Sequence, residues 1–532
     1  MTESGLTLSD RQMVKLKSTE YLLFLDGVIY EFNQHTFSEE HYPLLAGHLS
    51  TDLEGTLALM NGEYILLFVN HRTGTVWLIA SESGNAALFY RQSTDLLSFG
   101  NSVAGVLPEG EGAGSIDFQR IYDVITGNEL GSEKCCFASV KRLLPGQYIR
   151  VEQGRVTLQS YSKLFEVQPL EDKARDLNLH FRDTFRGSVL RRSSAGRMGI
   201  ALSSGRDSTA IAAIAAREAG MGGAKIHTYT FTPSMLPSSM ARDPRFNEGM
   251  VLKSLFDRYP ALEPGWVEPA GNSVLESLEH AVDIYQEPIY GVSNQFWIQE
   301  MHRMVAADNC TTLLTGQCGN YTVSWPPPGL LPLRQGPVKR LFRGKGRYRV
   351  SRGPVPYLSG EFLLKVNRGH FMEDAGSWTI EQMQRTLLKN CIAYTGYLQK
   401  QASLHYGIRV TDPTVDKELL KFCLELPFRA YHNRSGSRLL VTKGLREMLP
   451  ESILKNPVRG VQASDIQYRL ANERKKFIEI LEFLNKNKLV TFVIDTEGLA
   501  RDWKSMDFSG MKRKELNHLL RIIMVGIFLS RV

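Results

Sequence analysis

The run Leu202-Ser203-Ser204-Gly205-Arg206-Asp207-Ser208 gathers three hydroxyls, a glycine and a carboxylate where a strand pattern gives way to a helix pattern. That is the make-up of a phosphate cradle. Gly205 lets the backbone approach an anion, while Ser203, Ser204 and Ser208 supply hydroxyls and the helix start supplies free N–H groups with a favourable dipole. Asp207 adds a hard oxygen of the kind that ligates Mg²⁺ on phosphate oxygens. Helix capping by Ser and Asp explains one or two of these residues, but not the set. The run has neither the Gly-Lys-Thr ending suited to terminal-phosphate transfer nor the GxGxxG spacing of dinucleotide binding.

Such a loop must be carried by a strand and a helix, and the surrounding pattern provides both. The sequence predicts strands at 198–203, 226–231 and 312–315 and helices at 207–219 and 294–307, which together make a doubly wound parallel sheet. Further helices are expected at 378–400 and 417–426. Ahead of them, short apolar runs at 21–25, 64–70, 76–80, 86–90 and 147–151 predict a β-rich domain, with Asn61-Gly62 and Gln153-Gly154 as turns. Two domains, 1–165 and 170–532, fit a chain of 532 residues, which exceeds what one core usually organises.

Composition narrows the class. The six cysteines are scattered without CxxC spacing, so reduced thiols in a cytoplasmic protein are expected and no zinc site follows. No signal-like apolar stretch opens the chain, and 519–529, broken by Arg521, is too short to span a bilayer and reads as a buried terminal helix. A Pro/Gly-rich stretch at 326–355 carries Arg334, Lys339, Arg340, Arg343, Lys345, Arg347, Arg349 and Arg352, with no acidic residue among them. It reads as a mobile loop, either a lid over an anionic substrate or a solvated linker. Without interleaved aromatics it does not read as a nucleic-acid interface.

Ser203 to Ser208 resembles the S-(G/S)-G-x-D-S pyrophosphate loop of the asparagine synthetase family, whose members cleave ATP to AMP and pyrophosphate. The resemblance extends along the chain. Asn61-Gly62-Glu63-Tyr64, 84–90 and Leu144-Pro145-Gly146 resemble landmarks of the family's glutaminase-type domain, implying an Ntn-hydrolase-like sandwich before an ATP-pyrophosphatase domain with a helical C-terminal part. The segment 228–232, with Thr230 and Phe231, resembles the strand end that holds adenine, and Asn247-Glu248 falls where these synthetases start a helix with acidic residues. Thr315-Gly316-Gln317-Cys318-Gly319-Asn320 stands where an asparagine synthetase shows S-G-E-G-A-D, and Asp412-Pro413 with Asp416-Lys417 resembles V-P-F-L-D-K.

The resemblance implies ATP and Mg²⁺, with Asp207 and Asn320 as metal ligands and Arg459 in the place of a lysine that stabilises the reaction intermediates. Lys443 and Arg438 are further candidates for contacting pyrophosphate, or else solvated helix charges. Gln317 replaces an acid or tyrosine, and an amide cannot take up a proton near neutral pH. The second residue is Thr2, in a polar tail, where glutamine-dependent members need a cysteine nucleophile, so the N-terminal domain is read as degenerate and the amine must come from elsewhere.

Ser-Ser-Gly-Arg-Asp-Ser, Thr-Gly-Gln-Cys-Gly-Asn and Arg459-Gly460-Val461-Gln462-Ala463 with Asp465 resemble the lasso peptide cyclase branch most. That implies a ribosomally made core peptide as substrate, with a leader peptidase and a leader-binding protein as partners. Ammonia-dependent asparagine synthesis, β-lactam synthetase-like ligation and a silent peptide-binding scaffold are the alternatives.

Overall fold

The computed structural model describes residues 14–84, 87–94, 96–108, 110, 112–128, 131–167, 176–193, 196–327, 330, 355–368, 378–433, 436–456 and 460–532. Thr2, most of the basic stretch and Arg459 lie outside these residues.

Among the described residues the N-terminal part holds ten strands, β1 (Val14–Lys17), β2 (Tyr21–Phe32), β3 (His35–Thr36), β4 (Met60–Asn70), β5 (Thr75–Ala80), β6 (Leu88–Gln92), β7 (Leu97–Gly100), β8 (Lys141–Leu143), β9 (Gln147–Glu152) and β10 (Arg155–Ser160). They form an antiparallel sheet ordered β1-β2-β4-β5-β9-β10, with β3 on β2, and a small sheet ordered β7-β6-β8. Side chains alternate across β4. Ile65 and Leu67 pack with Leu88, Tyr90 and Leu143 of the small sheet, whereas Leu66 and Phe68 pack with Leu45 and Leu49 of a helix on the other face. This double burial explains the unbroken apolar run at 64–70. The predicted turn at Gln153-Gly154 is present, with φ of 50° and 77° joining β9 to β10.

Asn61-Gly62 does not form the predicted turn. It lies inside β4, paired with Glu31 and Ile29 of β2. A side chain at Gly62 would lie 2.5 Å from the Val28 carbonyl oxygen, so the glycine serves close strand approach rather than chain reversal. The helices Tyr42–Thr51, Leu53–Ala58 and Phe118–Thr126 also interrupt what composition presents as a mostly strand region.

The second sheet is parallel throughout, ordered β13-β12-β11-β14-β15, from β11 (Met198–Ala201), β12 (Ile226–Phe231), β13 (Leu262–Val267), β14 (Thr312–Leu314) and β15 (Arg409–Thr411). Eight helices matter below: α1 (Leu177–Ser193), α2 (Arg206–Gly222), α3 (Gly249–Arg258), α4 (Gln295–Ala307), α5 (Ile380–Tyr406), α6 (Lys417–Glu425), α7 (Leu439–Gly444) and α8 (Arg513–Ser530). Ile200, Ile211, Ile214, Leu252 and Leu255 fill one face of the sheet, and Tyr229, Phe296, Met301, Leu313 and Val410 the other. A sheet covered on both sides is the doubly wound arrangement. The segment 519–529 is buried within α8, and no helix among the described residues is long and apolar enough to cross a membrane.

Strand order reverses between β11 and β14. The chain leaves the carboxyl ends of these two strands in opposite directions, opening a crevice where ligands of such sheets bind.

Candidate functional site

The seven-residue run and the turn after β14 meet at this crevice. Gly205, at φ −69° and ψ 145°, precedes α2, whose first-turn amides of Arg206, Asp207 and Ser208 have no carbonyl to reach within the helix. Serine hydroxyls brace the loop from within. Ser208 Oγ accepts from the Ser203 N–H at 3.1 Å and lies 2.9 Å from Ser203 Oγ, which accepts from the Gly205 N–H at 3.2 Å. Arg206 is turned aside, donating to the Leu454 carbonyl at 2.7 Å.

Asp207 is 8% exposed and accepts a hydrogen bond from Ser324 Oγ. Burial raises its pKa, against the pull of Arg438, Ser324 and Arg206. The turn after β14 presses on it: a methyl group at Gly319 would lie 2.7 Å from Asp207 Oδ2, and one at Gly316 would lie 3.6 Å from the Ser208 nitrogen. Gly319 is there because the two loops touch, while Gly316 lies in ordinary contact with α2. Cys318 N–H donates to Asp412 Oδ2 at 2.9 Å, pinning the turn to the end of β15. Burial lifts the Asp412 carboxyl to about 6 despite hydrogen bonds from Thr414 and Cys318.

Arg438 enters from the residue before α7, in a left-handed conformation with φ 58°. Its Nη2 donates to Asn320 Oδ1 at 3.0 Å. The two sequence candidates near α7 therefore separate: Arg438 reaches the crevice, while Lys443 is exposed in the last turn of α7. Gln317 is exposed and accepts from Gln399 of α5 at 3.1 Å. At the end of β12, Thr230 is buried with its hydroxyl unpartnered, and Phe231 packs on Phe296 and Trp297 at 6.0 and 5.4 Å.

For Mg²⁺, the chain offers the Asp207 carboxylate, and no group of three or more His, Cys, Asp or Glu able to hold a metal occurs among the described residues. One buried carboxylate beside the phosphate cradle is what a cation that arrives on a nucleotide would need from the protein. Asn320 Oδ1 already faces a guanidinium, which opposes a second cation on that oxygen.

Ser324 and Glu248 escaped sequence reasoning as partners of the loop. Ser324 stands in an unremarkable Thr-Val-Ser-Trp context, and Glu248 is 44 positions from Ser204. Only tertiary contact reveals them.

Of the cysteines, Cys135, Cys136, Cys310, Cys318 and Cys423 are buried, and burial raises each of their pKa values. A thiol kept protonated is a poor nucleophile.

The family model described as asparagine synthase matches residues 180–517, more than half of the chain. No curated protein matches it. Among solved structures, the chain is similar at 10% identity and TM-score 0.17 to glutamine phosphoribosylpyrophosphate amidotransferase from B. subtilis, complexed with ADP and GMP. That match covers 40% of this chain and 46% of the other, so the chain spans under half the length of that protein.

Proposed function

The chain belongs to the asparagine synthase family, whose members are ATP-dependent, AMP-forming carbon–nitrogen ligases, and from that premise we propose that it closes a macrolactam ring in a peptide. The observation that carries the reading is the meeting of the Ser203–Ser208 loop, Asp207, the Gly316–Asn320 turn and Arg438 at the strand-order reversal.

In the first step, an Asp or Glu side-chain carboxylate of a leader-cleaved core peptide attacks the α-phosphorus of ATP. A P–O bond forms as the bond to the bridging oxygen breaks, and pyrophosphate leaves. The serine-braced loop and first-turn amides of α2 receive the departing charge, with Arg438 as a fixed cation at its edge. Magnesium carried on the nucleotide would draw on Asp207 and offset phosphate charge. In the second step, the peptide's N-terminal amine attacks the acyl carbon, the acyl–oxygen bond to AMP breaks, and the amine's proton passes to solvent. Holding amine and acyl carbon in one cleft supplies much of this step. Arg459 is the proposed stabiliser of both transition states, and Thr230 and Phe231 the proposed adenine edge.

Two features favour a substrate-borne amine. The loop, turn and 459–465 motifs resemble lasso cyclases, and five buried thiols are held protonated. The N-terminal part, residues 1–165, is then a degenerate glutaminase-like partner to a synthetase unit at 170–532. The proposed setting is cytoplasmic, with a leader peptidase and a leader-binding protein delivering the peptide.

Incubation with Mg-ATP and a candidate core peptide, followed by peptide mass, tests this reading. Ring closure lowers the mass by one water. Asparagine formed from aspartate and ammonia, with the peptide unchanged, contradicts it.

A further inference from the structure

Glu248, the residue before α3, is 8% exposed, yet it touches the loop that has to receive an anion. Its Oε2 accepts the backbone N–H of Ser204, the second serine of the loop. The rest of the carboxylate rests against Gly460, where a methyl group would lie 2.5 Å from the Glu248 carboxyl carbon. Gly460 is the residue that leaves room for it. The segment beyond Gly460 is fastened on the same side of the sheet: Val461 N–H donates to the Arg245 carbonyl at 2.8 Å, and Asp465 Oδ2 accepts from the Ser234 and Met235 N–H groups at 3.2 and 3.3 Å.

A carboxylate this close to an anion site repels the ligand. Its retention there calls for a compensating role, and the hydrogen bond to Ser204 and the fit against Gly460 supply one. Resting on the reading of Ser203–Ser208 as a pyrophosphate cradle, we propose that Glu248 is a positioning residue that fixes the direction of the Ser204 N–H, and so the curvature of the loop, while registering the loop against the segment that follows Arg459. The charge is incidental to this role and the acceptor oxygen is essential. Without the acceptor, the loop has to be ordered by the nucleotide itself, and that ordering weakens binding.

The test is the dissociation constant for Mg-ATP, measured by calorimetry on the full chain, with the thermal unfolding midpoint of each variant as the control for folding. Glu248→Ala is expected to weaken binding about tenfold or more. Glu248→Gln keeps an acceptor oxygen and is expected to restore binding to within about threefold of the wild type. Gly460→Ala displaces the carboxylate without deleting it, and is expected to weaken binding in the same direction. It keeps the test decisive should Glu248→Ala fail to fold. Wild-type affinity in both Glu248→Ala and Gly460→Ala overturns the proposal, as does tighter binding in Glu248→Ala, which would mark the charge as a brake. In either case the nucleotide reading of the loop stands. A wild-type chain that binds no Mg-ATP overturns the cradle reading and this inference with it.

Discussion

Arg438 bears on the charge of Asp207 at the crevice. Burial raises the Asp207 pKa, and Arg438 is the largest of the influences that lower it. Replacing Arg438 with Ala removes that influence, so the Asp207 pKa rises further and the acid limb of the pH–rate profile for pyrophosphate release moves to higher pH. A limb that stays in place would show that Asp207 does not need its negative charge. Asp207→Ala is expected to slow pyrophosphate release by about a hundredfold or more, with the unfolding midpoint near that of the wild type. Unchanged turnover would show that the loop is not the cradle. At this scale the sequence was most informative where chemistry and spacing coincide, in Ser203 to Ser208. It was least informative about Glu248 and Ser324, whose roles depend on contacts made far along the chain.

Elements deliver these residues, and two glycines show how tightly. At Gly319 a side chain meets the buried Asp207 side chain, so Gly319→Ala is expected to impair pyrophosphate release much as Asp207→Ala does, and to cost about 1–3 kcal/mol in urea unfolding. At Gly62 a side chain meets backbone of β2, which cannot swing away, so Gly62→Ala is expected to cost about 1–3 kcal/mol in urea unfolding without a direct effect on nucleotide binding. Strand β12 and helix α2 are legible in the sequence because their apolar patterns are long and end on clear signals. Strand β13 is not, since Pro264-Gly265 looks like a turn; it is tolerated because β13 lies at the sheet edge. Strand β15 spans only Arg409–Thr411, too short to show a period. The Asn61-Gly62 pair does not turn because it is paired with β2, a partner some thirty positions away that local pattern does not contain.

The whole molecule is held across that boundary by buried charge. Arg192 of α1 donates to Glu63 of β4 at 2.8 Å and to Asp416, the residue before α6, at 2.7 Å, and Arg191 pairs with Asp416 at 2.7 Å and Glu31 of β2 at 3.1 Å. Thr411 Oγ1 donates to Glu63, and Asn61 reaches Asp416 at 3.4 Å. Two of the residues that resemble glutaminase landmarks thus serve as a joint to the parallel-sheet half, a contact that no local motif announces. Arg192→Ala leaves Glu63 buried without its cation and Asp416 with Arg191 alone, and is expected to cost about 3–5 kcal/mol, read as a fall in the urea midpoint. Burial alone would raise the Asp416 pKa, but Arg192 and Arg191 outweigh it and hold the carboxyl at about 2. The folded value lies below the unfolded one of about 4, so this stabilisation is complete above about pH 4 and disappears as pH falls towards 2. Acid unfolding in that window, shifted to higher pH in Arg192→Ala, is the expected result. The central claim, activation of a carboxylate by adenylation at the Ser203–Ser208 loop, is tested most directly by the nucleotide products formed from Mg-ATP and a core peptide. AMP and pyrophosphate in equal amounts, one of each per ring closed, is the predicted result; ADP and orthophosphate would contradict it.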